Sequence, residues 1–397
     1  MGNRKVVFSD EVLSVLTDID KHTDELKKLW VKLAEIESPS YYKEGVDHVA
    51  ETIIEFSKSY GIAGKIIYFE KAGNSVWLRD DEGIAQGKKE IVLMAHMDTV
   101  HAVGSFPSPI VREKEGFLYG PGVYDCKGGI VVALLCTIAL RKSENCRYAI
   151  SVFYTGDEEV GHRDSDEGKA IEKAVQDAYV VYNCECASMD GKVCVGRKGA
   201  HNFQLRIKGV GAHSGNDPEK GRSAICEAAH KIIALEAITD IYGTGTIVNC
   251  GLIEGGSVVN AIPENCKIDV NVRYKSMEEI DNTMQQVYDI VAKSWIDGTV
   301  TEVIERNKPH APMVPNAKNQ WMYEQYKKSS EELGYETNQP FFAGGGSDAI
   351  IPYRLNIPVL CQVGVRGENH HTLRERAWIQ SLNERSKMLA KTILELT

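Results

Sequence analysis

Four short segments place histidines and carboxylates where an apolar run ends. Ala95-His96-Met97-Asp98-Thr99-Val100 closes a strand-like run, and Asp125 follows Gly120-Pro121-Gly122 and precedes a helix-like run. Thr155-Gly156-Asp157-Glu158-Glu159-Val160-Gly161 follows a second strand-like run, and Glu185 ends a third between Cys184 and Cys186. A carboxylate two residues from a strand-end histidine can fold back onto one ring nitrogen, fix the tautomer and leave the other nitrogen for a metal. An aspartate has two oxygens that can each bind a different cation, and adjacent acids on a loop can point apart, one to a metal and one to a water. A glutamate ending a buried strand needs an ion pair or a metal.

Each segment alone has an ordinary reading: a core histidine, a helix cap at Asp125, a solvated acidic loop, a salt bridge. Together with Asn369-His370-His371-Thr372 they supply nitrogen and carboxylate donors without needing a thiolate. That donor set suits zinc in a catalytic site, with manganese or cobalt compatible.

The elements that must position these groups follow from periodicity. Val12, Leu16, Ile19, Leu26, Trp30 and Leu33 recur at helical spacing up to Ser38-Pro39, and a second helix starts near Lys43. Strands are expected at 65–70, 75–79, 91–95, 147–154 and 179–182, with a buried helix over 128–140. This alternation favours a sheet covered by helices, on whose carboxyl edge open α/β folds place ligands. After Arg197-Lys198-Gly199 the order becomes β-α-β-β-α-β: 201–208, 223–238, 247–253, 267–273, 278–295 and 300–306. That is the pattern of a small split-βαβ domain. Helix, strand (357–361) and a final helix from Gln380 then return to the first pattern. The expected organisation is an α/β catalytic domain with a mixed sheet, residues 1–199 and 311–397, interrupted by an α+β, ferredoxin-like domain at 200–310.

The chain of 397 residues carries a net charge of -10, which argues against nucleic acid as a partner. No apolar run approaches the roughly 20 residues of a membrane span, and the start lacks a signal-peptide pattern. A cytoplasmic location is expected, with the ten cysteines reduced and mostly buried.

The motifs resemble those of the two-zinc peptidase family that includes carboxypeptidase G, aminoacylase, acetylornithine deacetylase and succinyl-diaminopimelate desuccinylase. The resemblance rests on Ala-His96-Met-Asp98-Thr-Val, Gly-Pro-Gly-Val-Tyr-Asp125-Cys-Lys-Gly-Gly and Thr-Gly-Asp-Glu158-Glu159-Val-Gly. It continues through Gly211-Ala212-His213-Ser214-Gly215, Gly255 to Pro263, Asn271-Val272-Arg273-Tyr274 and Gly344-Gly345-Gly346-Ser347-Asp348.

It implies that Asp125 bridges two Zn2+ ions, one also held by His96 and Glu185, the other by Glu159 and His371. Glu158 is then the general base, Asp98 the partner of His96, and His213 a donor to the oxyanion. Arg273, Asn260 and Gly345 would bind the substrate carboxylate, and the peptide after Asp125 would be cis. The adjacent His370 leaves the last ligand open between two neighbours; His371 is chosen because Thr372 and Glu375 then take the family's places for a small residue and an acid. The implied reaction is hydrolysis of an amide in a small peptide or N-acylated amino acid. A carboxypeptidase is the first reading and a deacylase the alternative; a non-catalytic binder of amino-acid derivatives is the third. A homodimer formed through the inserted domain is also implied.

Overall fold

The runs Ile91-Val92-Leu93-Met94-Ala95 and Ile150-Ser151-Val152-Phe153 leave no solvent face, and both lie in strands that are buried from Glu90 to His96 and from Tyr148 to Thr155, as strands covered on both faces must be. The computed structural model describes residues 7–163, 165–305, 309–335 and 339–396. They form two units: one comprises the chain up to Val195, Pro315–Phe341 and everything from Ser347, the other Gly196–Val314 and Phe342–Gly346. The chain therefore crosses between units at 195/196 and 314/315 rather than at 199/200 and 310/311. Residues 342–346, expected in the first unit, group with the second. There the Arg197 guanidinium donates to the carbonyls of Gly345 (3.0 Å) and Gly346 (2.6 Å).

In the first unit a mixed sheet runs Lys65–Ile67, Ser75–Leu78, Tyr148–Thr155, Lys89–His96, Val180–Asn183 and Val359–Cys361 from one edge inward. The last four are mutually parallel, while the first two pair antiparallel. Helices Asp10–Glu35, Lys127–Lys142 and Gln380–Glu395 pack on one another. The middle one is buried from Lys127 to Leu140, as expected of a helix apolar all round. A second, five-stranded sheet escaped sequence reading. Its strands Arg366–Glu368 and Arg376–Trp378 pair as a hairpin, so residues 369–375 form its loop.

The second unit is a four-stranded antiparallel sheet in the order Ile247–Gly255, Asn265–Tyr274, Gly199–Lys208, Val300–Glu305, with helices Ala224–Glu236 and Met277–Ala292. Arg306, expected to end the last strand, lies outside the described residues. Ile268, Val270, Val272 and Tyr274 alternate inward, and Asp269, Asn271 and Arg273 alternate to the other face. All ten cysteines are unbridged, eight of them buried. No helix among the described residues is long and apolar enough to cross a membrane.

Candidate metal centre and active site

Because the strands are parallel, they end together: His96 pairs with Thr155, and Met94 with Asn183. The next residues of each strand therefore share one edge, bringing Asp98, Glu158–Glu159 and Glu185 toward His96. Asp125 comes from the turn before the buried helix. The cap reading of Asp125 is corrected here: Cys126 holds the N-cap position, and no side-chain cap bond forms. That leaves the Asp125 carboxylate free of the helix. The Asp125–Cys126 peptide is cis.

Asp125 sits between two donor sets. Its Oδ1 lies 3.1 Å from His96 Nε2, which is 3.9 Å from Glu185 Oε2. Its Oδ2 lies 3.4 Å from His371 Nε2, which is 3.1 Å from Glu159 Oε2. Both sets could hold a metal ion, Cys126 joining the first. His371 rather than His370 belongs to the second set, while the His370 ring lies edge-on to Tyr124. His371 has φ 59°, a left-handed conformation that an ordinary side chain rarely adopts.

The donors fit cations. The other oxygen of Glu159, Oε1, is buried without a hydrogen-bond partner among the described residues, as expected of an atom meant for a metal. Hydrogen bonds from His371 to Asp125 and Glu159 raise its pKa to about 10. Burial opposes protonation of His96, yet Cys126, Asp125, Asp98 and Glu185 together raise it. Acceptors that draw protons onto both imidazoles also attract metal cations. Burial, reinforced by Glu185, lifts the Glu158 carboxyl well above its usual range.

Buried carboxylates hold this constellation by its backbone. Asp98 Oδ1 lies 3.3 Å from His96 Nδ1 and accepts from the Glu158 N–H (3.2 Å), while Oδ2 accepts from the Glu159 N–H (3.1 Å) and from Ser40 Oγ (2.6 Å). Glu375 accepts from the backbone N–H of Gly122 (3.3 Å), Tyr124 (2.9 Å) and Asp125 (3.0 Å), and from His101 Nε2 (2.6 Å).

The remaining expected site residues belong to the second unit. His213 is exposed, and its Nδ1 accepts from the backbone N–H of Gly215 (3.2 Å) and Asn216 (3.1 Å). The proton of the neutral ring is therefore on Nε2, available to a ligand. The Asn260 carbonyl accepts from Ser214 N (3.0 Å) and Oγ (2.9 Å), leaving the side-chain amide exposed. Arg273 is half-buried; its Nε donates to Asn271 Oδ1 (3.0 Å), and no carboxylate pairs with it among the described residues. No atom outside the neighbouring residues comes within 4 Å of a Cβ built on Gly345.

Sequence reading missed three groups: Cys126, the partners of Glu375, and a cluster of Asp157, His162 and Glu167. Only Glu375 left a signal, as an acid four residues after His371.

Residues 92–395 match the model of peptidase family M20/M25/M40. The chain belongs to this family. It is thus a hydrolytic metalloenzyme. Carboxypeptidase G2 of Pseudomonas sp. (strain RS-16) is 29% identical over 317 residues, 78% of this chain and 75% of that one. Succinyl-diaminopimelate desuccinylase of Nautilia profundicola is 25% identical over 360 residues, 86% of this chain and 93% of its own. The fold is shared with aminopeptidase PepT from Bacillus cereus at a TM-score of 0.74 and 21% identity, covering 94% of this chain and 98% of that one. It is also shared with human carnosine dipeptidase 1 at 0.72 and 14% identity, covering 98% and 99%.

Proposed function

We propose that this M20 enzyme is a carboxypeptidase that hydrolyses the last amide bond of a small peptide or acylated amino acid, with two Zn2+ ions per chain. The observation that carries the reading is the Asp125 carboxylate, one oxygen facing His96 and Glu185 and the other facing His371 and Glu159. Two bound divalent cations would polarise the scissile carbonyl and lower the pKa of the attacking water. Glu158 takes the proton from that water and passes it to the departing nitrogen. A carboxyl lifted above its usual range by burial holds a proton firmly enough for this transfer. Asp98 orients His96 through Nδ1, which keeps Nε2 turned toward Asp125. His213 Nε2–H donates to the oxyanion, and Arg273 binds the substrate α-carboxylate as a fork, with Asn260 and Gly345 completing that subsite.

The likeness to carboxypeptidase G2 favours release of a C-terminal amino acid, and the desuccinylases support the alternative, an N-acyl-amino-acid deacylase. A homodimer through the second unit is supported by exposed Ile225, Ile233, Leu252 and Ile253 on its first helix and edge strand. The cytoplasm is the proposed location. Metal analysis with a panel of glutamyl peptides, other C-terminal dipeptides and N-acetyl or N-succinyl amino acids tests the reading. Turnover of acylated amino acids alone would make it a deacylase, and turnover of none by metal-loaded protein would leave a binding protein.

A further inference from the structure

The loop that carries Glu158 and Glu159 has a second anchor, apart from the metal donors. After Gly161 (φ 67°), His162 also takes a left-handed backbone (φ 55°). The turn brings its ring back beneath the loop. Nδ1 lies 2.9 Å from Asp157 Oδ1 and 3.0 Å from Glu167 Oε2, while Nε2 lies 2.5 Å from Asp348 Oδ1. With carboxylate oxygens at both nitrogens, both must donate, so the ring is an imidazolium. Burial opposes that charge, but Asp348, with Asp157 and Glu167, holds the ring well above its usual pKa. An imidazolium satisfied on both sides leaves no lone pair for a metal, so this cluster is a clamp rather than a third metal site.

The clamp has grip on both sides. Glu167 accepts from the backbone N–H of Gly156 (2.7 Å) and Asp157 (3.1 Å), as Asp98 does from those of Glu158 and Glu159. Four successive backbone N–H groups are thus fixed by two buried carboxylates. Asp348 accepts from Thr155 Oγ1 (2.8 Å) at the end of the parallel strand. His162 pairs with all three of Asp157, Glu167 and Asp348. Without it Asp157 and Asp348 lose their counter-charge, and Glu167 and Asp348 lose the group that ties them across the loop.

We infer that His162 is a positioning residue: it locks the 156–161 loop to Glu167 and Asp348 and so sets where Glu158 and Glu159 point. The inference rests on the catalytic reading of Glu158, and its test keeps the two apart. In the metal-stripped full-length chain, hydrogen exchange is followed at the amides of 156–159. His162→Gln should speed exchange there and leave the central strands unchanged. In metal-loaded protein the same variant should lose roughly 10- to 100-fold in kcat, the scale of a small misplacement, with KM within about twofold of the parent. Asp348→Ala, which breaks the Nε2 side together with the Thr155 hydroxyl contact, should act in the same direction and serves if His162→Gln does not fold. Unchanged exchange at 156–159, or exchange that rises throughout the chain with a matching fall in stability, overturns the inference. So does full turnover in both variants. If the parent hydrolyses nothing, the proposed function falls and the exchange result alone decides the role of His162.

Discussion

Glu375 offers a sharp test of how the metal centre is held. Its side chain is fully buried, and its two oxygens accept four hydrogen bonds, three from the backbone N–H groups of Gly122, Tyr124 and Asp125 and one from His101. A carboxylate has about four acceptor sites, so every lone pair is used. Glu375→Ala strands all four donors at about 1–3 kcal/mol each; water entering the space recovers part, so the expected loss is near the low end, about 4 kcal/mol. Glu375→Gln keeps the volume but offers one carbonyl oxygen, enough for two donors, and turns an NH2 toward the others. It should lose about 2–6 kcal/mol, comparable to Ala despite its shape. His101→Ala removes a single donor, and also its edge contact with Phe106, and should lose about 1–3 kcal/mol.

The assay is urea unfolding of metal-stripped protein followed by tryptophan fluorescence. Trp30, Trp77, Trp321 and Trp378 lie in the first unit and only Trp295 in the second, so the signal reports the unit that holds Glu375. The midpoint should fall in the order parent, His101→Ala, then the two Glu375 variants, with an unchanged slope. A Glu375→Gln loss below about 1 kcal/mol would mean that one contact at most depends on the carboxylate, and would refute the account of how Asp125 is seated.

Three further outcomes are expected. Glu158→Gln should keep metal and fold but lose roughly 10²–10⁴-fold in turnover, and a loss under about tenfold would reassign the general base. Chelation should abolish activity and lower the melting temperature, with zinc restoring both; full activity in verified metal-free protein would end the two-cation reading. If the homodimer shares its sites, inactive His213→Ala and Glu158→Gln chains should regain activity when mixed, because the heterodimer has one site with both groups intact. No recovery after proven subunit exchange would confine His213 to its own chain or remove it from the reaction.

What could be read from the sequence follows from how far apart the partners lie. His96–Asp98 and Glu158–Glu159 are local patterns at the ends of strongly apolar strands, and parallel pairing alone then gathers them. The β-α-β-β-α-β order of the second unit was equally plain, since its strands alternate and its helices are long. The sheet that carries His371 was not visible, because three-residue strands such as Arg366–Glu368 hold too few residues to show a period. Asp125 read as a cap because caps and ligands share residue types; the helix beginning one residue later separates the two. His162 and Asp348 stand 186 residues apart, and no local signal joins them.

The same carboxylates explain why this centre should be sensitive to its metals. Asp98, Glu167 and Glu375 bind no metal in the proposed arrangement, yet they fix the backbone of the 156–159 loop, which carries Glu158 and Glu159, and of the Gly122–Asp125 turn. Rigidity is thus obtained from negative charge packed beside Asp125, Glu159 and Glu185, which are themselves negative. His96, His162 and His371 offset part of it, each against at least one carboxylate. Cations bound to the folded chain would offset more of this charge and stabilise it in proportion to how tightly they bind. The oxygen of Glu159 left without a partner marks where that compensation is incomplete. A scaffold that positions its ligands with acids therefore ties metal affinity to fold stability, so a variant that loosens Glu167 or Glu375 should weaken metal binding even though neither touches the ion.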